Sequence, residues 1–274
     1  MVPIALTIAG SDPSGGAGIQ ADLKTFHQLG VYGMSALTLI TVQNTLGVTR
    51  VEILDPSLLA EQLAAVISDL PPQAAKTGAL GNAAIVEAIV SSILNCPLVN
   101  CPLIVDPVMI SKQGAPLMDF SAREALTKLI IPRAALVTPN LHEAGALTGM
   151  VVKTPGDMRE AAVRIAGLGA ISVLIKGGHL EGDAMDLLFH QGKFTEYSSP
   201  RIATRHTHGT GCTYSAAITA FVARGLELPE AVRLAKRFIH EAIKTAPGLG
   251  GGQGQASGPV NHWAAPDDSR DTSL

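Results

Sequence analysis

Cysteine is scarce in this sequence, which has Cys 3 among 274 residues. So few thiols cannot form the disulfide framework of a small secreted protein. No apolar run reaches the roughly 18 residues that a membrane-spanning helix needs, and no basic segment with a cleavage site marks a signal peptide. We therefore expect a cytoplasmic protein with no membrane partner.

Aromatic residues and excess charge are also in short supply. Aromatics make up 4% of the residues against 47% for all hydrophobic types, so the core must be mainly aliphatic and alanine. Lys+Arg 20 against Asp+Glu 23 leaves a formal charge of -3, and no long basic stretch stands out. Because nucleic acids attract concentrated positive charge, no nucleic-acid partner is expected.

Short aliphatic segments alternate with helical patterns along the chain. Several of these segments are apolar throughout, which is typical of strands covered by helices on both faces of a sheet. The pattern predicts an α/β fold with a mainly parallel central sheet. The predicted strands are Ile4–Ala9, Met34–Val42, Ala74–Ala79, Leu103–Val105, Ala135–Thr138 and Ser172–Lys176, followed by a hairpin over Ala184–His190 and Lys193–Ser198.

Helix start signals occur between these strands and combine capping side chains with proline or glutamate. They are Asp55-Pro56, Thr154-Pro155, and Ser121 with Glu124 ahead of Ala125–Ile131. Two closing helices are predicted over Cys212–Arg224 and Pro229–Thr245. No linker divides the chain, so residues 1–265 are predicted to form a single domain, followed by a flexible polar tail at 266–274.

The first glycine cluster, Gly10 to Gly18, follows the first strand. Glycines there permit close approach of a ligand to helix-start N–H groups, but a tight turn explains them as well. Gly16 to Ala21 also fits the G-x-G-x-x-A dinucleotide fingerprint. The second strand lacks the acidic residue that would hold a ribose, which weakens the case for a dinucleotide-dependent oxidoreductase.

A second glycine-containing turn runs from His206 to Thr213 and precedes an apolar helix. Its small residues would expose N–H groups at the positive end of a helix dipole, which suits a transferring phosphoryl group. It is not a Walker A loop, because no Lys-Ser/Thr follows the glycines. The alternative is ordinary helix capping by Thr210, and His206 and His208 are interpreted as capping or hydrogen-bonding residues.

Cys212 begins the helix that follows this turn. The helix dipole is expected to lower its thiol pKa and to favour the thiolate. The residue is then either a general base or a small side chain that lines a pocket. Cys96 and Cys101 have no clustered His or Cys partners, so they are interpreted as inert thiols rather than zinc ligands.

Polar side chains lie at or just after the ends of three predicted strands, at the edge where parallel sheets bind ligands. Asn140 and Glu143 have the spacing of a capping box, and Glu143 is also a candidate to orient magnesium or its waters. Asp106 is a second candidate for the metal region. Lys176 would place an ammonium beside phosphate oxygens, unless it is an ordinary surface lysine.

These motifs together resemble the hydroxymethylpyrimidine and phosphomethylpyrimidine kinases of the ribokinase superfamily. The resemblance runs in order from Ile8 to about Trp263. Its carriers are Ala9–Phe26 (AGSDPSGGAGIQADLKTF), Thr41–Thr45 (TVQNT), Asp106–Gly114 (DPVMISKQG), Thr138–Ala144 (TPNLHEA), Ile175–His179 (IKGGH), His208–Thr213 (HGTGCT) and Gly258–His262 (GPVNH).

The resemblance implies a ribokinase-like fold, ATP and Mg²⁺ as cofactors, and a homodimer. It also implies a small-molecule substrate, 4-amino-5-hydroxymethyl-2-methylpyrimidine, which would be phosphorylated to its monophosphate and then to its diphosphate in thiamine biosynthesis. One departure is Ala79, at a position where many relatives carry methionine against the pyrimidine.

The resemblance also implies roles for particular residues. Gln43 would read the pyrimidine edge, because its amide offers both a donor and an acceptor. The other assignments are Asp22, Val108 and Ala17 at the substrate; Gly209, Thr210, Gly211 and Cys212 in the catalytic anion hole with Lys176; Asn140, Lys176, Thr207 and Gly211 at the nucleotide; and Glu143 and Asp106 at the metal.

Two other functions stay open. Pyridoxal kinase is the nearer one, because pyridoxal also presents a hydroxymethyl group on an aromatic heterocycle. A non-catalytic metabolite-binding protein with a decayed site is the other, and the intact Lys176, Glu143 and glycine turn count against it.

Overall fold

The structure is a computed structural model, and it describes residues 2–94, 101–112, 114–178, 180, 182–250 and 257–265. The predicted polar tail at 266–274, the predicted inert thiol Cys96, and His179 lie outside these residues. Cys101 is a free cysteine, and burial raises its pKa to about 12, as expected for an inert thiol.

The strands form one mixed sheet whose centre is parallel. They are β1 Ile4–Ser11, β2 Tyr32–Gln43, β3 Val48–Ile53, β4 Ala74–Thr77, β5 Leu103–Val105, β6 Leu136–Val137, β7 Ser172–Lys176, β8 Ala184–His190 and β9 Lys193–Ser199. Their order is β3-β2-β1-β4-β5-β6-β7-β8-β9. Pairing is parallel from β2 to β7 and antiparallel at β3, β8 and β9. The predicted α/β class and parallel centre are confirmed.

Eight α-helices connect and cover these strands in the described part of the chain. They are α1 Gly18–Gln28, α2 Pro56–Asp69, α3 Ala83–Leu94, α4 Phe120–Ala125, α5 Leu141–Thr148, α6 Pro155–Gly167, α7 Thr210–Ala223 and α8 Leu228–Lys244. A π-helical turn at Leu126–Ile130 and a 3-10 turn at Ile131–Arg133 continue α4. No helix in the described ranges combines the length and the apolar character needed to cross a membrane.

Helices cover both faces of the sheet, as predicted. In β1, Leu6 and Ile8 join the core cluster that α2, α3 and α6 complete. Ala5, which precedes Leu6 and points to the other face, joins the cluster that contains Phe26 of α1 and much of α7 and α8. Because successive strand residues point to opposite faces, an apolar strand supplies both cores at once.

Local capping decides where most of these helices begin. Asp55 caps α2 by accepting from the Ser57 N–H at 2.8 Å, as predicted. Thr154 caps α6 in a capping box, again at a predicted start.

The predicted capping box at Ser121 is wrong. Asp119 caps α4 instead, accepting from the Ala122 N–H and from the Ser121 hydroxyl, each at 2.7 Å. Ser121 therefore lies inside the helix that it was expected to start.

Candidate active site

The carboxyl ends of the parallel strands surround a cavity of about 550 Å³, which α5 and α7 approach with their N-termini. This is the edge at which open parallel sheets bind ligands. Every residue predicted for the site lines the cavity. The set is Ala17, Asp22, Gln43, Asp106, Val108, Asn140, Glu143, Lys176, Thr207, Gly209, Thr210, Gly211 and Cys212. Their individual roles stay predictions.

The turn at residues 209–212 opens α7 without a side-chain cap. Gly209 is the N-cap residue in the left-handed region at φ 79, and no side-chain hydrogen bond caps the helix. The Thr210 hydroxyl donates to the Thr207 carbonyl at 2.8 Å, so capping by Thr210 is excluded as the reason for this turn. Within the described residues, the N–H groups of Gly211 and Cys212 have no backbone acceptor. They are available to an anion.

The 209–212 turn packs directly on the first glycine cluster. A Cβ at Gly209 would collide with the carbonyl oxygen of Gly16, and a Cβ at Gly16 would collide with the His208 ring. Glycine is therefore required on both sides for the two loops to approach this closely.

The closing segment, residues 257–265, forms hydrogen bonds with the residues that flank the same turn. Its Gly258 carbonyl accepts from the His208 N–H at 3.0 Å, and the Val260 N–H donates back to the His208 carbonyl at 3.3 Å. His262 is buried and shares a hydrogen bond of 3.2 Å with the Thr213 hydroxyl in the first turn of α7. The GPVNH motif is thus part of the support for the anion-binding turn.

Cys212 differs from expectation in its protonation. Burial raises the pKa of its thiol to about 12, although Lys76 acts in the opposite direction. The predicted thiolate at rest is therefore wrong, because burial outweighs the helix dipole. The residue carries its proton at neutral pH.

Lys176 and Asp106 form an ion pair in the centre of the cavity, at 2.8 Å between Nζ and Oδ1. The Ser215 hydroxyl donates to the other Asp106 oxygen at 3.2 Å. Burial favours the protonated acid, but Lys176 and Lys76 outweigh it and hold the Asp106 pKa below its usual value. Lys176 is not a solvated surface lysine, since its side chain is 13% exposed.

Asn140 and Glu143 form the predicted capping box at the start of α5. Asn140 Oδ1 accepts from the Glu143 N–H at 2.9 Å, and Glu143 Oε2 accepts from the Asn140 N–H at 2.8 Å. Burial raises the Glu143 pKa to about 7, with Lys176 opposing and Asp106 adding to the rise. Asn140 also bridges to Lys176 across the ends of their strands.

Lys76 is a site residue that the sequence interpretation missed. It lines the cavity with no exposed side-chain surface and pairs with Asp22 at 2.7 Å. The Thr7 hydroxyl donates to the second Asp22 oxygen at 2.6 Å. One signal was available, because a lysine inside the wholly buried strand Ala74–Thr77 needs a partner.

Asp12 is a second missed residue and it holds His208. Its Oδ2 lies 2.8 Å from His208 Nε2, between residues 196 positions apart. The Ala17 N–H donates to the same oxygen at 2.9 Å. Gln43 Nε2 lies 3.4 Å from His208 Nε2. The interpretation of His208 as a hydrogen-bonding residue is confirmed.

The fold and this site define a small-molecule kinase of ribokinase-like architecture. Amides at a helix start and a lysine converge at the strand ends, as phosphoryl transfer requires. Residues 12–261 match the model of the phosphomethylpyrimidine kinase family. The chain belongs to this family.

Relatives with curated names agree with this assignment. The hydroxymethylpyrimidine/phosphomethylpyrimidine kinase of Bacillus subtilis (strain 168) is 46% identical over 271 residues, which are 98% of this chain and 98% of that protein. The thiamine biosynthesis bifunctional protein ThiED of Geobacter sulfurreducens is 48% identical over 97% of this chain, and the match spans 53% of that longer protein.

A solved structure gives the same architecture. The ADP complex of a Bacillus subtilis pyridoxal kinase superposes with a TM-score of 0.86 at 41% identity, covering 96% of this chain and 98% of that one. The ribokinase-like fold predicted by resemblance is confirmed.

Proposed function

We propose that this protein uses ATP and Mg²⁺ to phosphorylate 4-amino-5-hydroxymethyl-2-methylpyrimidine to its monophosphate and then to its diphosphate, in thiamine biosynthesis. The relatives' names support the substrate, and the cavity supports the chemistry.

One observation carries the proposal: an ammonium lies over the amide-rich turn at 209–212. A Cβ added at Gly211 would lie 3.4 Å from Lys176 Nζ, so this cation and the free N–H groups face the same small volume. Such a cradle stabilises the negative charge that spreads over a phosphoryl group in transfer.

In the first transfer, the hydroxymethyl oxygen forms a bond to the γ-phosphorus of ATP. The bond from that phosphorus to its bridging oxygen breaks, and ADP leaves. This step occurs in molecules whose Cys212 has released its proton to solvent, and the hydroxyl proton passes to that thiolate. Because the transition state is loose, positioning by the 209–212 turn and Lys176 contributes more than proton removal.

The acceptor is proposed to lie against the first glycine cluster and β2. Gln43 is held by two neighbours, the Thr41 hydroxyl at 3.1 Å and His208, which fixes its amide for an aminopyrimidine edge. Ala17, Asp22 and Val108 form the adjoining wall.

The nucleotide is proposed to lie on the other side of Lys176, against Asn140 and Thr207. The residues there fit magnesium. In the described residues Glu143 uses only Oε2 in hydrogen bonds, and this metal favours one or two carboxylates with phosphate oxygens. Glu143 would hold the ion or its waters, with Asp106 behind it. The bound metal would neutralise charge on the phosphates.

Pyridoxal kinase is the second candidate function. The structural neighbour of that name supports it, and so does Ala79, whose small side chain leaves room in the cavity wall for a more heavily substituted ring.

Mass analysis of products tests these alternatives. The protein is incubated with ATP, Mg²⁺ and either hydroxymethylpyrimidine or pyridoxal. We expect the pyrimidine monophosphate first and the diphosphate later. Phosphorylation of pyridoxal alone would favour the second candidate, and no ADP release with either compound would mean a non-catalytic binding protein.

A homodimer and a cytoplasmic location complete the proposal. The family resemblance supports both.

A further inference from the structure

The formal charges of the side chains that line the cavity almost cancel one another. Four carboxylates line it, Asp12, Asp22, Asp106 and Glu143, against three lysines, Lys76, Lys112 and Lys176, so their formal sum is 3 − 4 = −1. The proposed second transfer brings in a phosphomonoester, which carries close to two negative charges at neutral pH. That acceptor therefore needs a cation that is not already neutralised.

Two of the three lysines already form ion pairs with aspartates of the protein. Lys76 pairs with Asp22 at 2.7 Å, with no exposed side-chain surface on either partner. Lys176 pairs with Asp106 at 2.8 Å and is proposed to hold the phosphoryl group in transfer. If either lysine moved away from its aspartate, a buried carboxylate would be left without a partner, which costs free energy.

Lys112 is different. It lines the cavity from the solvent side and is exposed. Among the residues that the structure describes, no carboxylate pairs with it. A compact ammonium on a flexible stem at the mouth of a pocket suits an incoming phosphate.

Described residues on either side of the Lys112 region are joined by hydrogen bonds. Ile110 and Pro116 form a β-bridge, and the Ser111 N–H donates to the Ala115 carbonyl at 2.8 Å. Ser111 Oγ accepts from the Ala115 N–H at 2.9 Å. This loop continues directly from Val108, which is proposed to wall the acceptor pocket. Because Lys112 is four residues beyond Val108 in the same cavity wall, we place it on the acceptor side rather than on the nucleotide side.

We infer that Lys112 binds the phosphate of the monophosphate acceptor and is needed chiefly for the second transfer. The inference rests on the proposed function. In this step an anionic oxygen of the acceptor phosphate forms a bond to the γ-phosphorus of ATP. The bond to ADP breaks, and ADP carries the electron pair away. No proton has to be removed, and the first acceptor, an uncharged alcohol, makes no such demand on Lys112.

The test measures the two transfers separately on the whole protein. Lys112→Gln and Lys112→Arg are compared with wild type, with hydroxymethylpyrimidine or purified monophosphate as acceptor and ATP in excess. Losing a charge-assisted contact should raise the KM for the monophosphate about tenfold or more in Lys112→Gln, which corresponds to about 1.4 kcal/mol. The KM for hydroxymethylpyrimidine should change by far less, and Lys112→Arg should restore most of the loss.

Lys193→Gln is the matched control, since Lys193 is exposed in β9 at the far edge of the sheet. An unchanged KM for the monophosphate in Lys112→Gln overturns the inference. So does an equal rise for both acceptors, or a rise in the KM for ATP in the first transfer. A wild-type protein that makes no monophosphate refutes the proposed function itself, which keeps the two failures distinct.

Discussion

Cys212 carries its proton at rest, because burial raises its pKa to about 12. If the thiolate is the base of the first transfer, its fraction rises with pH at every pH below that value. We predict that the first-step rate climbs steadily from about pH 8 to about pH 10, above the Glu143 pKa of about 7, whereas the second step has no such slope there. Single-turnover rates for the two acceptors across this range check the prediction.

Cys212→Ala should remove that slope and slow the first transfer by about 100-fold, a usual contribution of general base catalysis. The second transfer should fall by much less, since its nucleophile is already anionic. A flat first-step profile in wild type would show that Cys212 only lines the anion cradle.

The Asp22–Lys76 pair is a stability element as well as part of the pocket. Both side chains have no exposed surface, so removing one leaves the other charge buried alone. We predict that Lys76→Met lowers the free energy of unfolding by about 3–5 kcal/mol. The double variant Lys76→Met/Asp22→Leu should lose much less, as measured by denaturant unfolding. A loss in the double variant equal to the sum of the single losses would contradict this coupling.

The sequence identifies lining residues better than it identifies their partners. Lys176 and Glu143 are recognisable because each follows a strand or caps a helix. Asp22 and Lys76 are 54 positions apart, and Asp12 and His208 are 196 apart. No local pattern records such pairings. The thiol pKa was misjudged for the same reason, since the dipole is local and burial is a property of the whole fold.

At the scale of secondary-structure elements, the first turn of α7 depends on the closing segment through His262. Burial lowers the His262 pKa to about 4, and Lys24 and His208 add to this. The unfolded chain, with an ordinary pKa near 6.5, binds a proton more readily than the folded protein. The contribution of neutral His262 to the free energy of unfolding is therefore complete above pH 6.5 and is lost as the pH falls towards 4.

We predict that His262→Gln, which keeps a hydrogen-bonding group but does not titrate, removes part of the acid sensitivity. Between pH 6.5 and pH 4, the free energy of unfolding of wild type should fall by up to roughly 3 kcal/mol more than that of the variant, at about 1.4 kcal/mol per pH unit. Urea unfolding at several pH values measures this. The exposed His27→Gln serves as the control, and identical slopes in His262→Gln and wild type would refute the prediction.

Elements with a consistent local signal were predicted well. β5 and β7 have the predicted bounds, because β5 is apolar and buried throughout and β7 is buried in all but its last residue. β3 was missed, since among the described strands it pairs only with β2, at the sheet edge, and all of its residues are partly or fully exposed. Its sequence alternates too weakly to be distinguished from a loop. The start of α4 was misplaced because Asp119 and Ser121 both resemble caps, and only the folded chain selects one.

At the scale of the whole molecule, the sheet exposes apolar residues near its β3 edge. Ile40 is 43% exposed and Val42 is 55% exposed on β2. We predict a homodimer, with light scattering giving twice the 28.3 kDa of one chain. Val42→Lys should lower that mass if this face is the interface. Val163→Lys, on the similarly exposed Val163 of α6, should not. A wild-type mass of one chain would refute the dimer.

The pairing of residue 208 with Gly258 and Val260 also bears on how the protein is made. During translation the strands and most of the cavity wall emerge long before residues 257–265. A nascent chain still holding these residues inside the ribosome lacks the support for its anion-binding turn. Phosphoryl transfer at the 209–212 turn is therefore expected only after residues 257–265 have emerged.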